Sequence, residues 1–134
     1  MPAISALTLN DGAAAPLAHT FVPVKTDGST GSWAERTASG PTFWATLTNG
    51  LTVPQSKSSA EGKPLTNRWQ VYVPVGVTPV GGATVLDHFS SASLNFYFSP
   101  RASEEERKNL VSYVKNLLAN TTVYNAAVAC EPFY

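Results

Sequence analysis

Residues 103–134 read SEEERKNLVSYVKNLLANTTVYNAAVACEPFY, and this stretch decides the fold. Leu110, Val111, Val114, Leu117 and Leu118 recur at helical spacing and make one apolar stripe. Ser103 is a natural N-cap, and Glu106 three residues on completes a capping box. Glu104, Glu105 and Glu106 place negative charge where a helix N-terminus favours it. Asn120 suits a stop, and Thr121 or Thr122 can cap a second, shorter helix of small residues that ends before Pro132. Two helices with one apolar stripe need an apolar surface to cover.

That surface has to come from the residues before Pro100, which read as strands and turns. Ile4, Leu7 and Leu9 begin a first strand, Asp11-Gly12 supplies a turn, and Phe21, Val22 and Val24 return. Pro23 within the return strand belongs on an edge or at a bulge. A short strand is expected at 33–37. From Thr42 the alternation is clear: Phe43, Ala45, Leu47, Leu51 and Val53 face one way, and Thr42, Trp44, Thr46, Thr48 and Thr52 the other. Asn49-Gly50 is also a strong hairpin signal, but a turn there leaves too short a partner strand before Pro54. A continuous strand with a bulge or close approach at Gly50 is the better expectation.

Residues 55–65 are polar and read as a solvated loop. Residues 68–75 alternate again, with Trp69, Val71, Val73 and Val75 against Arg68, Gln70, Tyr72 and Pro74. Residues 76–87, with Pro79 and Gly81-Gly82, read as a flexible connection. In 88–99, Ala92, Leu94, Phe96 and Phe98 mark one face, and Phe89, Ser91, Ser93, Asn95 and Tyr97 the other. The strands therefore share one apolar face and one face of Thr, Ser, Asn, Gln and Tyr. The second is either an ordinary solvated face or a platform on which bases stack and hydrogen-bond.

Composition narrows the function. The 134 residues suggest one domain with a real core, and only 13% are charged, which leaves much surface free to pack on other chains. Nine basic and nine acidic residues cancel, so any nucleic-acid site must be a local arrangement. The lone Cys130 excludes an intrachain disulfide, leaves no metal cluster, and reads as a small buried hydrophobe among alanines. No apolar run reaches membrane-spanning length and no leader pattern precedes Ala3, so a soluble protein with no need of an oxidising compartment is expected. His19 in the hairpin and His88 at a strand start read as surface or turn histidines. With no nucleophile elbow, phosphate loop, metal spacing or dinucleotide fingerprint, no enzyme and no cofactor are expected.

The order of elements and several strings resemble the coat proteins of the single-stranded RNA bacteriophages, nearest the Q-beta group. A strand ending FYFS, the acidic start SEEER, a helix ending LLAN and the terminus EPFY carry the likeness, with Pro41 and Pro54 bracketing the middle strand. Val80-Gly81-Gly82 and Leu94-Asn95 are similar to the other branch of the family. The resemblance implies an α+β fold: an N-terminal β-hairpin (1–26), a five-stranded antiparallel sheet (32–99) and two C-terminal helices (103–130). It further implies an interlocked dimer with a continuous ten-stranded sheet, in which Leu110, Val114, Leu117 and Leu118 lie over the partner. Dimers would build an icosahedral virion shell in the bacterial host cytoplasm, with residues 76–87 meeting neighbours around symmetry axes.

The inner sheet face would bind a hairpin of the RNA genome, repressing translation and marking the genome for packaging. On that reading Thr48, Gly50, Thr52, Arg68, Gln70, Tyr72, Ser91, Ser93, Asn95 and Tyr97 are the RNA-binding residues. Gly50 falls where the family usually has a hydroxyl residue. The family's stacking tyrosine falls at Ser93, or at Ser91, and neither can stack; Tyr72, Tyr97 or Phe89 are the candidates to replace it. The rival reading is a sheet-plus-helix RNA-binding or repressor module without a shell.

Overall fold

The computed structural model describes residues 4–36, 45–52 and 65–131. The expected positions of Pro41, Phe43, Trp44, Val53 and Pro54, residues 55–64 of the polar loop, and the closing 132–134 lie outside the described residues.

Strands β1 (Leu7–Asn10), β2 (Ala18–Thr26), β3 (Thr30–Glu35), β4 (Thr46–Thr52), β5 (Leu65–Val77) and β6 (Val85–Phe98) form one sheet in sequence order. Every neighbouring pair is antiparallel. The class and the order of elements are those the sequence predicts, but the division differs: the hairpin β1–β2 is the outer margin of the same sheet, because β2 is hydrogen-bonded to β3. Pro23 has no N–H to give the ladder, and the register shifts between Pro23 and Lys25, so this strand is an interior one with a bulge. The short strand begins at Thr30 and ends at Glu35, earlier than periodicity suggests.

β4 runs straight through Asn49-Gly50, with Gly50 opposite both Thr30 and Arg68. The expected bulge or close approach is absent: pairing is regular there, and a Cβ on Gly50 would meet only Thr30 Oγ1, at 4.0 Å. β5 and β6 extend further than expected, so their connection shortens to 78–84. The hydroxyls of Thr78 and Thr84 share a 2.7 Å hydrogen bond across its base, and Val80 stands fully exposed at its turn.

Opposed residues share a face, so the registers assign both sides of the sheet. One face carries Leu7, Phe21, Trp33, Leu47, Trp69, Val71, Leu94 and Phe96. Phe21, Trp33 and Leu47 are buried there, with Ile4, Leu7, Ala45 and Trp69 packed against them. The Trp33 and Trp69 rings stack at 5.8 Å, and Trp33 Nε1 donates to the Ser5 carbonyl at 2.8 Å. Burial stops part-way across: Val71, Val73 and Val75 are 37%, 44% and 41% exposed.

Helices α1 (Glu104–Ala119) and α2 (Thr121–Ala129) pack on each other, and neither has a buried residue. The capping box forms as expected, Ser103 N–H donating to the Glu106 carboxylate and Glu106 N–H to Ser103 Oγ; the Ser103 backbone N–H, then its side chain, hold the Glu106 carboxyl below its ordinary value. Asn120 closes α1 and also caps α2, its Oδ1 accepting from Thr122 and Val123; Thr121 is already helical. Cys130 is exposed, not buried: it ends α2 in the left-handed conformation (φ 56°), which costs an L residue about 1–2 kcal/mol. The Leu117 and Leu118 side chains are 54% and 60% exposed. The chain exposes 10218 Å², against roughly 6,800 Å² for a compact chain of this mass. Half a core is present.

His19 is more than a turn histidine. Its Nδ1 meets Glu35 Oε1 at 2.6 Å and its Nε2 meets Asp11 Oδ2 at 3.2 Å. Two ionised carboxylates can only accept, so this geometry favours the ring that donates from both nitrogens, the imidazolium. Glu35, then Asp11, raises the His19 pKa above its ordinary 6.5. Asp11 is lowered, first by the Leu17 N–H and then by His19. A raised histidine adds stability that is full below its unfolded pKa and lost as pH rises through the folded value. A lowered aspartate adds stability lost only as pH falls through its folded value. Melting curves from mildly acidic to alkaline pH should therefore show the wild type losing stability on the alkaline side, and His19→Gln showing less of that loss. Equal alkaline loss in both proteins would contradict the bridge.

Candidate nucleic-acid interface

The opposite face of the sheet collects the hydroxyl, amide and aromatic positions. Thr30, Gly50, Arg68 and Asn95 lie side by side across β3 to β6. Ser32, Thr48, Gln70 and Ser93 form the next row, and Ala34, Thr46, Tyr72 and Ser91 the one beyond. On the other side of the Arg68 row, Thr52 is opposite Thr66, which is opposite Tyr97. Pro74 and Phe89 close the far end. All ten residues predicted from the sequence thus belong to one face, although only the backbone of Thr52 is described.

Geometry sets the dimensions. Three strands about 4.8 Å apart make the Thr48-to-Asn95 patch roughly 10 Å wide, and about eight residue steps from Phe89 to Tyr97 make it roughly 26 Å long. Tyr97 is 61% exposed at one end, and Phe89 is 56% exposed at the other. The Phe89 and Tyr72 rings lie 5.2 Å apart, tilted by 35°. Between these aromatics stand the exposed Arg68 and a field of hydroxyls and amides. The face can stack flat rings at its ends, hydrogen-bond in its middle and neutralise a phosphate at Arg68.

Ser91 and Ser93 are confirmed in phase with Asn95 and offer no ring. Phe89, named from the sequence as a candidate stacker but not among the ten, lies on this face opposite Pro74, in phase with Ser91, Ser93, Asn95 and Tyr97. Thr30, Ser32, Thr46 and Thr66 also share the face and were not among the ten, because a hydroxyl on a strand is common and only its neighbours make it part of a platform. On α1, Leu110, Val114, Leu117 and Leu118 are brought together by the helix but meet none of the apolar face of the sheet in burial: Leu110, Leu117 and Leu118 are exposed and Val114 is half-buried. Among the described residues, no three His, Cys, Asp or Glu side chains converge as metal ligands.

The levivirus coat protein family matches residues 2–134. The chain belongs to that family. It is a capsid component of the virion and not an enzyme. Solved coat-protein structures share the fold across nearly the whole chain. The virus-like particle of bacteriophage ESE058 is 20% identical with a TM-score of 0.85, covering 99% of this chain and 100% of that one. The virus-like particle of bacteriophage NT-214 is 22% identical with a TM-score of 0.82, covering 98% of each. The bacteriophage GA protein capsid is 16% identical with a TM-score of 0.73, covering 97% of each. No curated protein matches the chain.

Proposed function

We propose that this coat protein pairs with a second copy, builds an icosahedral shell, and binds a hairpin of its RNA genome on the hydroxyl-rich face. RNA binding there would repress translation and mark the genome for packaging. Within the family we place the chain nearest the Q-beta group, on its SEEER and LLAN strings. The pairing is supported by three features of the isolated chain. β6 presents fourteen residues hydrogen-bonded on one side only. The apolar face is uncovered over β5, and the α1 stripe has nothing of its own to cover. Joining β6 to β6 continues the sheet across both copies, six strands from each, and brings each α1 over the other's apolar face. An edge strand of that length is otherwise a liability.

The observation that carries the RNA reading is the set of aligned rows, in which Arg68 and Asn95 lie between exposed aromatic ends. Filter binding of the genomic hairpin at several salt concentrations tests it. Arg68→Ala should weaken binding and flatten the salt slope by about 0.7, the share of one phosphate contact on a single strand. Phe89→Ala should weaken binding by about 1–3 kcal/mol, a lost base stack, with the salt slope unchanged. If both variants bind as the wild type does, the RNA is not on this face.

A further inference from the structure

An amide pair interrupts the apolar face where β4 meets β5. Asn49 on β4 and Asn67 on β5 both point to that side: Asn49 is opposite Trp69, and Asn67 is opposite Leu51 and Phe96. Asn49 Nδ2 donates to Asn67 Oδ1 at 2.7 Å and to the Arg68 carbonyl at 3.3 Å. An amide has two donors and an acceptor with two lone pairs. Among the described residues, Asn49 Oδ1 and Asn67 Nδ2 find no partner in the chain. Both side chains are half-buried, yet no buried side-chain polar atom lacks a partner, so these two atoms are open to water in the isolated chain. Covering the face removes that water.

The surface available to cover it is α1, whose apolar stripe also has one polar interruption. Tyr113 lies three residues after Leu110 and four before Leu117, on the same side of the helix, and is 70% exposed. Its hydroxyl both donates and accepts, which matches one free amide nitrogen and one free amide oxygen. We propose that Tyr113 of a second copy hydrogen-bonds the Asn49–Asn67 pair and so fixes where along the sheet the helix docks. This rests on the pairing of two copies proposed above. Apolar stripes tolerate sliding, whereas a helix docked out of place strands buried amide and phenol groups without partners. Each stranded group weakens association roughly 5- to 150-fold, so one position is selected. A single polar residue in an apolar helix seam fixes register in the same way.

A double-mutant cycle on the full-length protein tests this, with dimer dissociation measured by sedimentation over a range of concentrations. Tyr113→Phe removes one oxygen and keeps the ring, and Asn67→Ala removes the free donor. Each single variant should weaken the dimer about 5- to 150-fold, and the double variant should be little weaker than the weaker single. Should Asn67→Ala fail to fold, Tyr113→Phe with Asn49→Ala completes the cycle. Factors that multiply independently, or a Tyr113→Phe dimer as tight as the wild type, would overturn the contact while leaving the pairing intact. A wild type that stays monomeric at every concentration would overturn both.

Discussion

Trp69→Ala should cost the folded protein about 3–5 kcal/mol and abolish shells, while Tyr72→Ala, three residues along the same strand, should leave shells intact. Trp69 stacks on Trp33 beside the buried Phe21 and Leu47, so removing it opens the core that the single chain does form. Tyr72 stands on the other face, opposite Thr46 and Ser91, away from the Phe21, Trp33 and Leu47 cluster. Its truncation should instead weaken RNA binding by about 1–3 kcal/mol for the base it stacks. Denaturant unfolding, electron microscopy of the particles and filter binding separate the two effects. If Tyr72→Ala destroyed shells and Trp69→Ala spared them, the faces would be assigned backwards and the RNA residues would fall with them.

Leu117→Ala carries the second large effect, because its expected size contradicts its surroundings in the isolated chain. A side chain 54% exposed ordinarily loses little on truncation. Here the proposed packing of α1 on the apolar face of another copy raises the expected loss to about 2–5 kcal/mol, the range for a buried leucine. The folded state and the pair are then one equilibrium, so the unfolding midpoint should rise with protein concentration. A small loss with a concentration-independent midpoint would leave α1 on the surface of a monomer.

The C-terminal helices were legible almost residue by residue, since caps are local. Ser103 and Glu106 are three residues apart and satisfy each other whatever the rest of the chain does. Even so, Asn120, expected as the stop of α1, also caps α2 in place of Thr121 or Thr122. Strand faces were legible because side chains alternate with period two. The ten positions expected to bind RNA were read one strand at a time, and the registers put them on one face of the sheet.

What the sequence hid is long-range. Nothing local joins His19 to Glu35, sixteen residues away, or tells that β2 pairs with β3 and so makes Pro23 an interior bulge. At Gly50 the continuous strand was read correctly against the Asn-Gly turn signal, but the expected bulge is absent because both flanking strands pair regularly with it. Cys130 misled because alanine neighbours suggest burial, while the position is set by the end of α2.

Electron microscopy of the purified full-length protein is the most direct measurement of the central claim, that this chain is half of a structure completed by copies of itself around RNA. Closed shells of uniform size that protect RNA from nuclease are the expected result. A stable monomer that forms no particles at any concentration would contradict it.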